Sequence, residues 1–237
     1  MGSVSSPVAS PPDVGVVIVA AGAGVRAGPG EPKQFRPIHG VPMLLRTLRP
    51  FTSHPAVSQV VVAVPAGFAE RPPEWLGKLL GDRLRLVAGG AARAQSVRAG
   101  LRALPPGASV VLVHDGARPF VSRETIDNVI ARARAGVGAV AAVPLHDTIK
   151  EVADDRITRT VARERLWRAQ TPQGFPRAMI DEAYARLRKE DAVPTDDAEL
   201  CERVGFAVEV IPDTPHNLKV TTADDFRIAE ALARELR

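Results

Sequence analysis

Val16-Val17-Ile18-Val19-Ala20-Ala21-Gly22-Ala23-Gly24-Val25-Arg26-Ala27-Gly28-Pro29-Gly30-Glu31-Pro32-Lys33 joins an apolar run to a glycine-rich turn that carries cationic side chains. The run lacks polar alternation, so it reads as a strand over 14–21 covered on both faces, as in a parallel sheet. Glycines after such a strand bare backbone amides to anionic oxygens, and Arg26 and Lys33 add positive charge beside them. The turn reads as a phosphate cradle; a structural turn with incidental charges is the alternative. Gly22-Ala23-Gly24-Val25-Arg26-Ala27 also fits the relaxed dinucleotide pattern G-x-G-x-x-A. That pattern wants an acidic residue closing the second strand to hold a ribose, and Val62-Ala63-Val64-Pro65 ends without one. The phosphate-loop pattern G-x-x-x-x-G-K-[ST] does not occur in the chain.

Outward from this stretch, short Val- and Ile-rich runs alternate with segments of helical period. Strands are expected over 59–64, 85–87, 109–113, 137–143 and 207–211. Helices are expected over 43–51, 93–104, 122–135, 177–189 and 223–236, with a short one after Thr195. The alternation predicts an α/β fold: a Rossmann-like, mostly parallel sheet flanked by helices with right-handed crossovers. The rhythm breaks over about 145–166, a polar stretch turning at Ala153-Asp154-Asp155-Arg156, which reads as a protruding β-hairpin arm. A lone hairpin is marginally stable, so the arm is expected to pack on something, most economically a second copy of the chain. No repeat or linker divides residues 13–237, which read as one domain. Ser/Pro-rich residues 1–12 read as a floppy leader.

A chain of 237 residues can bury one large core or two small ones. No apolar run approaches the ~20 residues of a membrane-spanning helix, so no membrane partner is expected. The start has neither the basic residues nor the cleavage pattern of a signal peptide. Cys201 is the single cysteine, which excludes an internal disulfide and a cysteine metal cluster and favours a cytoplasmic protein. The net charge of +4 is unevenly placed: residues 83–134 hold nine Arg against Asp115, Glu124 and Asp127. One Tyr and two Trp offer little base stacking, so a small anionic ligand is preferred to nucleic acid.

Three further segments carry chemistry. His114-Asp115-Gly116-Ala117-Arg118-Pro119 follows the strand over 109–113, and the carboxyl ends of strands are where open α/β sheets place ligands. Asp115 there can orient a ribose hydroxyl or help place Mg²⁺, and Arg118 can contact a phosphate or pair with an acid; a capped turn with an ion pair is the alternative. No nucleophile motif accompanies His114, which reads as a packed, hydrogen-bonded histidine. Gly89-Gly90-Ala91-Ala92-Arg93-Ala94-Gln95-Ser96 opens a helix with glycines that admit a flat base, and Arg93 and Ser96 can add polar contacts; a plain strand-to-helix turn is the alternative. Asn217-Leu218-Lys219-Val220-Thr221 reads as a short strand before the last helix, a poor place for an ammonium without an anionic partner. Thr148, Arg163, Thr171, Thr195 and Lys219 are otherwise scattered hydroxyls and cations.

Taken in order, the loop over 20–33 with Pro32-Lys33-Gln34-Phe35, residues 114–120, Asp147-Thr148-Ile149-Lys150, Gln170-Thr171-Pro172-Gln173-Gly174-Phe175, Thr195-Asp196-Asp197-Ala198 and residues 217–222 form one set. This set, spread over roughly residues 14–236, resembles the 2-C-methyl-D-erythritol 4-phosphate cytidylyltransferases of isoprenoid precursor biosynthesis. Ribitol 5-phosphate cytidylyltransferases share much of it. The resemblance implies cytidylyl transfer from CTP to the acceptor phosphate, with release of pyrophosphate. It implies a chemical role for Arg26, Lys33, Lys219 and Asp115, and CTP contacts at Ala20, Ala21, Gly22, Gly24, Gly90, Ala91 and Ser96 as well. Arg118, Thr148, Arg163, Thr171 and Thr195 are implied to hold the acceptor, with Thr148 and Arg163 reaching a partner's site across a homodimer built on the arm. Mg²⁺ is implied mainly on the CTP phosphates, with Asp115 beside it. Two positions depart from the family pattern: Ala91 stands where an acid is often found, and Val25 where a cation often precedes Arg26. A polyol-phosphate cytidylyltransferase of other acceptor, and a non-catalytic nucleotide- or RNA-binding protein, are the competing functions.

Overall fold

Every residue of Val14–Val19 is Val, Ile or Gly, and as strand β1 it divides its side chains between two cores. Val14, Val16 and Ile18 pack with Leu44, Leu48, Phe51 and Ile126 on one face. Val17 packs with Val97, Leu101, Val113 and Ile180 on the other. A strand apolar on both faces has to be covered by helices on both, and here it is. The computed structural model describes residues 12–22, 32–188 and 191–236.

The remaining strands are β2 (Pro37–Ile38), β3 (Val41–Pro42), β4 (Val57–Val64), β5 (Leu84–Ala88), β6 (Val110–Asp115), β7 (Gly138–Pro144), β8 (Ile149–Ala153), β9 (Arg156–Val161), β10 (Trp167–Pro176) and β11 (Val208–Pro212). The helices are α1 (Met43–Thr52), α2 (Ala66–Glu70), α3 (Glu74–Gly77), α4 (Arg93–Ala103), α5 (Arg123–Arg134), α6 (Arg177–Arg186), α7 (Asp197–Arg203) and α8 (Ala223–Glu235). A seven-stranded sheet runs in the order β11-β7-β10-β6-β1-β4-β5. β1 is parallel to β4 and β6, β4 to β5, and β11 to β7. β10 alone runs against both its neighbours, β6 and β7. The fold is the mostly parallel α/β sheet expected from the alternation of segments.

Close packing of α4 on the sheet sets where its first turn lies. A Cβ on Gly100 would stand 2.4 Å from Val17 Cγ1, so only glycine lets this helix settle on β1. Cation-bearing Arg93 opens the helix and is thereby brought to the end of β1. The arm is present as β8 and β9, paired antiparallel from Ile149↔Val161 to Ala153↔Arg156. Asp154 and Asp155 both take positive φ (48° and 60°) in its turn, the conformation that matches the twist of a two-residue hairpin.

The structure differs from the sequence reading at three places. Trp167–Pro176 is a strand in the sheet interior that periodicity does not reveal, because Gln170, Thr171 and Gln173 are buried polar residues. Residues 217–221 are not a strand. The segment is held by side chains, by a local backbone bond from Asn217 N to Thr214 O at 3.2 Å, and by one from Val220 N to Ala117 O at 2.8 Å. Helix α6 also stops short of residue 189, at Arg186.

Candidate active site

β1, β5 and β6 end together at one edge of the sheet, and the segments following them wall a cleft of about 630 Å³. Ala20, Ala21 and Gly22 come from the end of β1, Gly90, Ala91, Arg93 and Ser96 from the turn into α4, and Asp115 from the end of β6. Lys33 and Lys219 complete the wall. This is the carboxyl edge, where open α/β sheets bind ligands, and the volume suits a small molecule. Gly24 and Arg26 lie outside the described residues.

Asp115 organises the charge. It is nearly buried, with Lys219 Nζ 3.0 Å and Arg118 Nε 3.4 Å from Oδ2, and Arg93 Nε 3.6 Å from Oδ1. Burial alone would push this carboxyl up, but Lys219, Arg93 and Arg118 outweigh it and hold it well below the ordinary carboxylate range. Arg93 also pairs with Asp197, yet the three cations still outnumber the two carboxylates and leave the site net positive. Lys33 adds a fourth cation to the same cleft, its Nζ donating to Val220 O at 2.9 Å.

The paired glycines have an internal reason to be glycine. A Cβ on Gly89 would meet Ala21 Cβ at 2.3 Å, and one on Gly90 would meet Gln95 Cβ at 2.4 Å. Ser96 Oγ accepts from Gly90 N at 3.1 Å, closing the turn on α4. The turn is therefore pressed against the β1 end, and Ala91, with no acidic side chain, sits on the cleft wall.

The residues implied for the acceptor do not line this cleft. Arg118 is buried; its Nη1 donates to Asn217 O at 2.7 Å, tying the Lys219 segment to the end of β6. Thr171 is buried beside it, accepting from Asp115 N at 3.0 Å. Thr195 is exposed, and its amide and hydroxyl both donate to Glu199 Oε2, at 2.6 and 2.7 Å. Those bonds push Glu199 down to about 2. Thr148 and Arg163 are exposed at the base of the arm, where Arg163 Nη1 donates to His146 O. His114 is fully buried and hydrogen-bonded, as the sequence suggested.

Other polar residues hold the frame without having been singled out as functional. Asp197 is fully buried and receives Arg93 Nη2 at 2.7 Å and the Tyr184 hydroxyl at 2.6 Å, so Arg93 bridges two carboxylates. Gln173 Oε1 accepts from Asp197 N and Ala198 N, both at 3.0 Å, and caps α7. Asn217 Nδ2 donates to Thr171 O and Asp213 Oδ2, both at 2.7 Å. Gln173, Asp197 and Asn217 stand among other polar residues in the chain, so no local signal marks them as buried, although burial obliges them to bond.

Among the described residues no group of three or more His, Cys, Asp or Glu could hold a metal ion by itself. Asp115 is the carboxylate on the cleft. A hard cation that binds one or two carboxylates and takes the rest of its shell from substrate phosphates and water fits such a donor set. Among the described residues, no helix is long and apolar enough to cross a membrane.

A family model described as IspD: 2-C-methyl-D-erythritol 4-phosphate cytidylyltransferase matches residues 14–235. A protein of that name from Syntrophus aciditrophicus is 40% identical over 231 residues, covering 94% of this chain and 97% of the relative. Another, from Frankia casuarinae, is 46% identical over 228 residues, covering 95% of this chain and 83% of the relative. The crystal structure of the Thermus thermophilus 2-C-methyl-D-erythritol 4-phosphate cytidylyltransferase superposes with a TM-score of 0.79 at 36% identity, covering 94% of this chain and 99% of that one.

Proposed function

Because this chain belongs to the 2-C-methyl-D-erythritol 4-phosphate cytidylyltransferase family, we propose that it transfers the cytidylyl group of CTP to 2-C-methyl-D-erythritol 4-phosphate. The products are the CDP-linked methylerythritol and pyrophosphate. The observation that carries this reading is the cleft at the sheet's carboxyl edge, where Lys219 and Arg93 pair with Asp115, the one carboxylate among the described lining residues, and Lys33 lines the same cleft. A net positive cleft of this kind suits two polyanionic substrates.

In the proposed step an acceptor phosphate oxygen attacks the α-phosphorus of CTP in line, and the bond to the pyrophosphate oxygen breaks. A phosphate monoester with a second pKa near ~6 is already ionised at neutral pH, so no general base is required. The described site agrees: His114 is fully buried with both ring nitrogens engaged, and it does not reach the cleft. The protein's work is to bring the anions together and stabilise charge on the transferring and leaving oxygens. Lys33, Lys219 and Arg26 are assigned that task, with Ala20, Ala21, Gly22, Gly24, Gly90, Ala91 and Ser96 holding the nucleotide. Mg²⁺, held by the CTP phosphates with Asp115 as its protein carboxylate, would neutralise phosphate charge when bound.

Arg118, Thr148, Arg163, Thr171 and Thr195 are assigned to the acceptor, and the unit that acts is residues 13–237. Thr148 and Arg163 stand apart from the cleft of their own chain, on an arm that exposes Val152 and Ile157. A homodimer in which the arm crosses to the partner accounts for both features. A cytoplasmic location, suggested by the lone cysteine, belongs to the same reading.

Purified protein incubated with Mg²⁺, CTP and either methylerythritol 4-phosphate or ribitol 5-phosphate tests the proposal by product mass. Conversion of the first acceptor with pyrophosphate release is expected. Conversion of ribitol 5-phosphate alone would move the chain to the competing acceptor, and no turnover of either would favour a non-catalytic nucleotide binder.

A further inference from the structure

The antiparallel ladder between β10 and β6 ends at Gln173↔Val113. Two residues further, the same register would set Thr171 opposite Asp115, yet no backbone pair forms there. Gly116 N bonds to Val19 O on the β1 side at 2.8 Å. Alternation along the strand therefore turns the Asp115 N–H toward β10. What meets it is the Thr171 hydroxyl, at 3.0 Å. A side chain thus replaces the missing backbone carbonyl at the residue that gathers the cations of the cleft.

Thr171 is in turn held by His114. The imidazole is fully buried, with its Nε2 3.1 Å from Arg118 O and its Nδ1 2.9 Å from Thr171 Oγ1. A carbonyl only accepts, so Nε2 carries the proton and Nδ1 is the acceptor. The hydroxyl of Thr171 then donates to Nδ1 and receives the Asp115 amide on its oxygen. All the bonds run one way, from the Asp115 amide through Thr171 and His114 to the Arg118 carbonyl. Arg118 itself returns to Asp115 through its guanidinium. The Phe51 ring, tilted at 54° with its centroid 4.9 Å away, closes the apolar side of the imidazole. Burial pushes His114 down to about 4, which keeps it neutral and Nδ1 free to accept.

We propose that His114 is a positioning residue for the transfer reaction, fixing Asp115 through the hydroxyl of Thr171. The proposal rests on the cytidylyl-transfer reading for its kinetic assay but not for its spectroscopic one. His114 touches neither the cleft nor, by its burial, any substrate. It acts by orienting the carboxylate on which Lys219, Arg93 and Arg118 converge.

Two amide variants separate this role from plain packing. The Asn side chain in His114→Asn keeps an acceptor near the position of Nδ1, whereas His114→Gln keeps a donor near Nε2 and loses the acceptor for Thr171. His114→Gln should lower kcat about tenfold, the loss of one well-placed hydrogen bond, while the KM for CTP changes less than about threefold. His114→Asn should retain kcat within about threefold of the wild type. In a Thr171→Val background the His114→Gln change should cost less than about twofold more, because the link is already broken. Equal losses in the two amide variants, or multiplicative losses in the double variant, would overturn the proposal. Histidine ¹⁵N NMR of the wild-type protein gives an answer that needs no variant of His114 to fold. His114 should show the Nε2–H tautomer, with the Nδ1 resonance moving in Thr171→Val; an Nδ1–H tautomer overturns the proposal. A wild-type protein without transferase activity would instead defeat the functional reading, and the NMR result would still decide whether His114 holds Asp115 through Thr171.

Discussion

Lys219 Nζ lies 3.0 Å from Asp115 Oδ2, tethering a partly exposed ammonium to a nearly buried carboxylate. The tether explains how an extended segment with a single backbone bond to β6's following loop holds its cation at the cleft. It also leaves one side of the ammonium facing the cleft that Lys33 shares. Lys33→Ala and Lys219→Ala should each lower kcat/KM by at least ~10²-fold, the scale for losing a positioned electrostatic group. Steady-state kinetics check this; a loss below about threefold in both would remove them from the chemistry.

Asp115→Asn takes the counter-charge away from Lys219, Arg93 and Arg118 while preserving shape. Breaking a buried ion pair by removing one partner strands the others, so the variant should lose about 3 kcal/mol of stability in urea unfolding. Lys219, the most exposed of the three cations, should also become mobile and lower kcat.

Stability should weaken on mild acidification, and His114 is the main cause. Its folded pKa, about 4, lies below the ordinary 6.5 because burial disfavours the charged ring. The unfolded chain therefore takes up a proton first. His114 contributes no penalty above pH ~6.5, and up to about 3 kcal/mol of stability is lost as pH falls from there toward ~4. His54 is lowered by burial despite Asp127 and adds to the same window. Asp115 acts lower down: its depressed folded pKa stabilises the protein above the ordinary carboxylate pKa and is lost as pH falls below it. Urea unfolding at about pH 7.5 and about pH 5 should show the first effect, and His114→Asn should flatten it.

Gly89→Ala tests how the cleft wall is built. The new methyl group would stand 2.3 Å from Ala21 Cβ and 2.9 Å from Ser96 Oγ. Overpacking of this kind costs about 1–3 kcal/mol, and here it displaces the end of β1 from the α4 turn. The KM for CTP should rise at least ~tenfold, a shift worth about 1.4 kcal/mol. An unchanged KM would show that the nucleotide does not use this wall.

Val152 and Ile157 are cross-strand partners on the arm, 56% and 64% exposed. Replacing both with Asp should give a monomer in analytical ultracentrifugation and weaken acceptor use more than CTP use. Arg163→Ala should affect the acceptor in the same selective way. A monomeric wild-type protein with full activity would refute the shared site.

Much of the fold is legible in the chain because burial on both faces leaves a local trace. Val14 to Val19 has no polar residue and must be covered twice, which dictates helices on either side. The arm is legible for the opposite reason: its strands are polar, and Ala153-Asp154-Asp155-Arg156 can turn back on itself. β10 is hidden because Gln170, Thr171 and Gln173 are polar yet buried, and nothing local announces that Asn217, Asp197 and His114 will satisfy them.

The sequence by itself determined the parallel sheet, the cation-bearing turns at strand ends and the motif set of the family. Those properties reside in runs and spacings of neighbouring residues. Only the tertiary structure decided which charges meet. Arg118 meets Asp115 within one turn of the chain, but Arg93 and Lys219 come from distant segments and reach Asp115 because β6 ends beside β1 while Asn217 is pinned to Arg118 and Thr171. Periodicity reports which face of an element is buried; ion pairing depends on distance through space, which the packing of distant segments alone sets.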